Sequence, residues 1–238
     1  MKQIATIHYN TPELTEAMIL SLRKVGMNWP VTILDNSDKR PFKKKMDGVK
    51  VINNRKGKII DLDSELEKFE NKNPNHSECN RWGSVRHIMS VQKLWELLPD
   101  GFLLVESDVL VRKNLEFMCV NSECTVGHVQ WHQPGNLYDI PRLVPMICWI
   151  NVPLCVAGGA RYYDPERCWM LYPEEEDKRN WYDTGASFLE DIRTLKPQCH
   201  GKAIDIRPLM LHYQKGSWER NDLADQKEWL ERNANLWR

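Results

Sequence analysis

Residues 102–114 read "FLLVESDVLVRKN". Phe102 to Val105 and Val109 to Val111 make one apolar run of the kind buried on both faces in a parallel sheet, yet Glu106 and Asp108 interrupt it. Side chains two residues apart share a face of a strand, so a continuous strand sets these carboxylates side by side. Taking both anions out of water costs several kcal/mol unless a cation compensates or one keeps its proton. The pair predicts a metal or a basic partner. The plainer alternative is a carboxylate pair bonded to backbone amides or an arginine.

Upstream, Val85, Ile88, Gln92 and Trp95 form one stripe of a helix beginning near Gly83, with Val91, Leu94 and Leu98 beside it. "PDG" (99–101) turns that helix into the strand. At the start of the chain, "IATI" (4–7), "VTILD" (31–35) and "VKVIN" (49–53) are short β-branched runs. Leu14, Ala17, Met18, Leu22 and Val25 recur between the first two at helical spacing, opened by Thr11 and Pro12 and closed by Gly26. The opening is βαβ, and ligands of such sheets gather at the carboxyl ends of strands, here "HYN" (8–10) and "DNS" (35–37). Residues 54–81 are polar and read as an insertion with a short helix. Downstream come a strand "TVGHVQW" (125–131), a proline- and aromatic-rich stretch to about 173, a helix over 184–195, a strand "IRPLMLHY" (206–213) and a last helix over 221–235.

The 238 residues suffice for a sizeable core and fit one α/β domain. Lys+Arg and Asp+Glu balance at 33 each, so no basic field points to nucleic acid or an anionic membrane. The first residues lack the apolar core of a signal peptide. The most apolar stretch, "LVPMICWINVPLCVAGGA", is broken by Pro145, Asn151 and Pro153, so no transmembrane segment is expected. Seven cysteines without a CxxC pair predict free thiols in a reducing compartment, hence a cytoplasmic protein.

Taken in order, "YNTPELTEAMILSL" (9–22), "ILDNS" (33–37), "GSVRHIMSVQKLW" (83–95) leading into "FLLVESDVLV" (102–111), "WYDTGASFLEDI" (181–192) and "LHYQKGSW" (211–218) resemble a family 2-like glycosyltransferase of the GT-A fold. The resemblance implies a Rossmann-like α/β fold: a mixed, mostly parallel sheet flanked by helices in a single domain. Its nucleotide-binding half would cover about 1–114 and its acceptor and catalytic half about 115–238. It implies transfer of a sugar from a nucleoside-diphosphate sugar such as a UDP-sugar to a saccharide or lipid-linked saccharide acceptor, in polysaccharide biosynthesis.

In that family a DxD-like element holds a divalent cation on the donor diphosphate, and "ESD" (106–108) is the matching element. The resemblance assigns Asp108 as a direct ligand of Mn²⁺ or Mg²⁺, His212 as a second ligand, and Glu106 to the ribose or a metal-bound water. Asp35 and Tyr9 would meet the ribose and base, backbone groups near Asn10 the base edge, and Arg86 the diphosphate. Inverting transfer needs a base, for which Asp183 leads with Glu190 and Asp191 in reserve; a retaining enzyme would need none. Each residue also has an ordinary reading: an Asx-type turn at Asp35, a surface arginine at Arg86, a helix N-cap at Asp183, a hydrogen-bonded core histidine at His212.

His128 and His132 have no cysteine or carboxylate at ligand spacing for zinc, whereas His76 with Cys79 and Cys199 with His200 could meet in space as a zinc site; structural histidines and free cysteines are the default. Trp131, Tyr138 and Trp149 fall where an acceptor would bind in this fold, although core packing is the default for any one of ten tryptophans. "KRPFKKK" (39–45) is a solvated loop or a peripheral membrane contact. Two rival functions remain: a nucleotide-sugar-binding module without turnover, and a sugar-phosphate nucleotidyltransferase. The second would need a glycine-rich loop after the first strand, which "HYNTPE" lacks.

Overall fold

The three short apolar runs at the start of the chain become parallel neighbours. The computed structural model describes residues 2–61, 64, 82–131, 141–162, 184–194, 200–213 and 222–238. The strand β1 (Ile4–His8) leads through α1 (Pro12–Lys24) to β2 (Val31–Asp35), and β3 (Val49–Asn53) pairs beyond β2. Pro12 occupies the first turn of α1, where its missing N–H is no loss, and Gly26 closes the helix in a left-handed conformation at φ +84°. The stripe around Ile88 forms α2 (Trp82–Leu97), and Gly101 turns the chain into β4 (Phe102–Val105). Only glycine fits that turn: φ is +97°, and a Cβ would sit 2.6 Å from the Ile150 carbonyl oxygen.

The run at 102–111 is not one strand, which corrects the expectation drawn from it. The chain breaks at Glu106–Asp108 in a turn where the Val109 N–H donates to the Glu106 carbonyl at 3.3 Å. It then enters β5 (Val109–Val111), which leaves the main sheet. The carboxylates sit on a half-buried turn between two buried strands, so no pleat sets them side by side.

Next come β6 (Thr125–Gln130) and β7 (Arg142–Ile150), the latter unforeseen because Pro145 lies within it. The register of β6 on β7 shifts between Gly127, opposite Cys148, and His128, opposite Val144, so Pro145 falls at the irregularity where no ladder bond is required of it. Short helices α3 (Val152–Ala157) and α4 (Ala186–Thr194) follow, then β8 (Gly201–Ala203), β9 (Met210–His212) and α5 (Leu223–Arg232). A 3₁₀ turn at Arg207–Leu209 shortens the strand expected over 206–213.

The seven-stranded sheet runs β3-β2-β1-β4-β7-β6-β8, parallel except where β7 opposes β4 and β6. Alternate side chains face opposite layers. Phe102 and Leu104 pack with Leu94, Trp95 and Phe188 of α2 and α4, while Leu103 and Val105 pack with Met18, Ile19 and Leu22 of α1. This two-sided burial is why the central strands read as continuous apolar runs. No helix among the described residues is long and apolar enough to cross a membrane. Cys119, Cys148 and Cys155 are free and buried, but Cys124 is disulfide-bonded, which corrects the expectation that every thiol is free.

Leu103→Ala, in the fully buried centre, is expected to lower unfolding free energy by about 2–5 kcal/mol in urea titrations, against less than about 1 kcal/mol for Val51→Ala on the exposed edge strand. Equal losses would contradict a core centred on β1 and β4.

Candidate functional site

Strand order reverses between β1 and β4. From β1 the chain moves outward to β2 and β3, and α2 carries it back to the other side of β1, so the carboxyl ends of β1 and β4 flank a topological switch point. The chain segments that emerge there are His8–Asn10 and Glu106–Asp108.

A second, two-stranded sheet completes this place. Strand β9 runs antiparallel to β5 with His212 opposite Val109, and the Tyr213 N–H donates to the Asp108 carbonyl at 3.0 Å. This pairing sets the imidazole of His212 against the turn: Nε2 lies 3.2 Å from Asp108 Oδ2 and 3.8 Å from Glu106 Oε2. One ligand atom from each of Glu106, Asp108 and His212 lies within 4.8 Å of the others, and all three side chains are half-buried. Two carboxylate oxygens and an imidazole nitrogen at that spacing suit a divalent cation that accepts mixed oxygen and nitrogen ligands.

Burial works most strongly against a charged His212, but the hydrogen bond it donates to Asp108 and the charges of Asp108 and Glu106 together outweigh it and raise its pKa above the ordinary 6.5. A fourth group, absent from the sequence reading, faces the turn: His87 Nε2 is 3.6 Å from Glu106 Oε1.

No family model matches the sequence, and no curated protein matches it. Among solved structures, an active-site mutant of LgtC aligns with a TM-score of 0.50 at 13% identity, over 84% of this chain and 72% of that one. The fold is GT-A-like. Mouse xyloside xylosyltransferase 1 aligns at 0.48 with 9% identity, over 87% and 86% of the two chains, and the bifunctional glycosyltransferase WbbM at 0.48 with 8%, over 97% and 44%.

Within this GT-A-like fold the end of β1 is stitched to the loop after β2. Asn10 takes a left-handed φ of 57°, its side-chain carbonyl accepts from the amides of Lys39 and Arg40, and its own amide donates to Ser37 Oγ. Asp35 is buried, and its two carboxylate oxygens accept from the amides of Ser37 and Phe42 at 2.9 Å each. That is the Asx-type turn, extended to Phe42, and it places one backbone amide on each oxygen. Tyr9 is half-buried.

His8 is fully buried, and burial, the largest influence, holds its pKa below the ordinary 6.5. The neutral ring suits its neighbours: Nε2–H donates to the Arg40 carbonyl at 3.2 Å, and Nδ1 accepts from the Thr15 hydroxyl at 2.8 Å. Side chains also tie α2 to this edge. Asn54 donates to Asn36, Asn36 to Ser90 Oγ, and Ser90 to the Arg86 carbonyl, over distances of 2.8, 2.8 and 2.6 Å. Arg86 is half-buried on the turn so fixed.

Of the three expected bases, the structure describes Glu190 and Asp191. Asp183 lies outside the described residues, as do Tyr138, His132, His76, Cys79 and Cys199. Asp191 accepts from the Arg161 amide at 2.9 Å, in the loop after α3 and so beyond the end of β7 that is remote from Glu106; Glu190 is its neighbour on α4. Trp149 is buried with its Nε1–H on the Val120 carbonyl, so it serves the core, whereas Trp131 is exposed under the Arg193 guanidinium. His128 Nδ1 bonds the Ile204 carbonyl, the structural role expected of it.

His8 and His212 act on stability with opposite sign. His212 is stabilising when charged, so its contribution is full below pH 6.5 and is lost as pH rises through its raised folded value; His8 contributes above 6.5 and loses that contribution as pH falls through its lowered folded value. In chelator, melting curves of His212→Gln should therefore lose part of the alkaline decline of the wild type, and those of His8→Gln part of the acid decline. Unchanged pH profiles in both variants would contradict these environments.

Proposed function

We propose that this chain is a metal-dependent glycosyltransferase that moves a sugar from a nucleoside-diphosphate sugar to a saccharide or glycolipid acceptor, with inversion, in polysaccharide biosynthesis. The observation that carries the reading is the convergence of Glu106, Asp108 and His212 at the carboxyl end of β4, beside the switch point of a GT-A-like sheet. The comparison supports the fold alone. The donor set supports the cation: half-buried carboxylates beside an imidazole suit Mn²⁺ better than Mg²⁺, which prefers oxygen ligands.

In this reading Asp108 and His212 hold the cation, and Glu106 faces the ribose or a water on the ion. When bound, the cation supplies Lewis-acid stabilisation of the negative charge that builds on the departing diphosphate. The chain's own residues do the rest. Tyr9 and the backbone beside Asn10 flank the nucleoside, and Arg86, held by the Asn36–Ser90 tie, reaches toward the diphosphate. Asp35 acts through the loop it folds.

Asp183 takes the proton of the acceptor hydroxyl as it attacks. What supports the assignment is the described chain two residues on: the Gly185 carbonyl accepts from the Leu143 amide, and three residues further along β7 the Met146 carbonyl accepts from the Glu106 amide. The exposed indole of Trp131 offers an apolar face for an acceptor ring.

A thermal-shift panel of UDP, GDP, CDP and their common sugars, each with Mn²⁺, Mg²⁺ or chelator, tests the donor site. A ligand at about a hundred times its Kd adds roughly 2.7 kcal/mol, so a clear rise for one nucleotide class, lost on chelation and in Asp108→Asn, is expected. No response to any nucleotide with either metal would sink the reading. For the base, Asp183→Asn should keep donor binding but lose transfer by about 10²–10⁴-fold; normal transfer would remove Asp183 from that role.

A further inference from the structure

The carboxylate of Glu106 lies between two imidazoles that address different oxygens. His212 Nε2 is 3.8 Å from Oε2, and His87 Nε2 is 3.6 Å from Oε1. His212 also meets Asp108 at 3.2 Å, while His87 contributes no atom to the group whose ligand atoms lie mutually within 4.8 Å. The side chains of His87 and Glu106 are only 13% and 20% exposed, so little water screens them from each other.

The position of His87 is built into the fold. It follows Arg86, whose carbonyl accepts from Ser90, and Ser90 is bonded in turn to Asn36 and through it to Asn54. Ile88 and Met89, next along α2, are buried and fix the rotation of the helix. Two independent constraints, a polar tie to the ends of β2 and β3 and an apolar seat on the sheet, thus hold this imidazole beside the turn. At 3.6 Å the pair is an electrostatic contact longer than a hydrogen bond, and such contacts tighten when substrate binds.

We propose that His87 is a positioning residue for Glu106. By engaging Oε1 it keeps the carboxylate turned away from direct metal ligation and toward the ribose of a nucleotide or a water on the cation, which leaves Asp108 and His212 as the protein's ligands to the cation. The unequal distances agree: Asp108 is closer than Glu106 to the imidazole with which it would share the ion. A carboxylate aimed by a neighbouring N–H presents its remaining oxygen in one direction, as outer partners do for metal ligands. The inference rests on the glycosyltransferase reading.

The test compares wild type, His87→Ala and His87→Gln, the last retaining an N–H donor on a side chain of similar reach. Free Mn²⁺ is counted by electron paramagnetic resonance during titration with Mn²⁺ alone. UDP, GDP and CDP are then titrated calorimetrically at saturating Mn²⁺, and melting temperature in chelator controls for folding.

His87→Ala should bind Mn²⁺ within roughly threefold of wild type but its preferred nucleotide at least about tenfold more weakly, with most of the loss restored in His87→Gln. A purely structural role would not give that split or that rescue. The proposal is overturned if Mn²⁺ affinity falls as far as in Asp108→Asn, which would make His87 a ligand itself, or if nucleotide affinity is unchanged in His87→Ala. It is equally overturned if His87→Gln, folded as wild type, binds nucleotide no better than His87→Ala; this variant decides the matter should the alanine variant not fold. Wild type that binds neither Mn²⁺ nor any nucleotide removes the glycosyltransferase reading and this one with it, whereas wild type that binds both while the His87 variants match it removes this one alone.

Discussion

A strand that ends inside a protein has to place its last amides and carbonyls, and at Glu106 that requirement shapes the whole crevice. The Glu106 N–H donates across to the Met146 carbonyl, while its own carbonyl accepts from Val109 and bends the chain out of the main sheet. A buried amide left unpaired costs about 1–3 kcal/mol, so the position of the break is set by where these partners stand. Once the chain has turned, β5 needs its own partner, and β9 supplies it. The turn that exposes two carboxylates and the strand that delivers the imidazole are consequences of one set of backbone hydrogen bonds.

The electrostatics follow from that backbone. Two carboxylates on a half-buried turn repel, and imidazoles face them from two directions: His212 on one side and His87 on the other. An arginine at either place would hold the carboxylates in a permanent ion pair and compete with any cation. Imidazole gives up its proton near neutral pH and can itself be a ligand, so the cluster is stabilised without being closed to a metal. The neighbouring loop is handled differently. Asp35 is held by two backbone amides and serves as architecture, which explains how a carboxylate at a strand end of this sheet can be buried beside a neutral His8.

Much of the fold was legible because its signals are local. The helix stripes around Leu14 and Ile88, the Pro12 entry and the Gly26 exit each depend on a few adjacent residues, and all appear as read. The break at Glu106 was not legible, since the apolar residues flanking it would be the same in one continuous strand; only the partner strand, distant in sequence, separates the two cases. Strand β7 was hidden by Pro145, which is tolerated through a register shift that belongs to β6 as much as to β7. The disulfide at Cys124 carries no spacing signal. In the site, Glu106, Asp108 and His212 meet as the motif order suggested, while nothing adjacent to His87 in the sequence marks it, because its contact with Glu106 depends on how α2 packs on the sheet. At Asp35 the amides of Ser37 and Phe42 show the Asx-type turn that its short polar neighbours suggested.

The pairing of β5 with β9 also has a meaning in time. A ribosome makes the first strands, α2 and the acidic turn well before it makes His212, so for most of synthesis the chain carries two clustered carboxylates without their imidazole partner. Contacts between residues so far apart in sequence form late, because the loop between them must first be closed. The cluster therefore matures as a report on completion: a chain that stops short of β9 holds the acidic half of the centre on an unpaired strand β5, and only a finished chain can assemble all three groups.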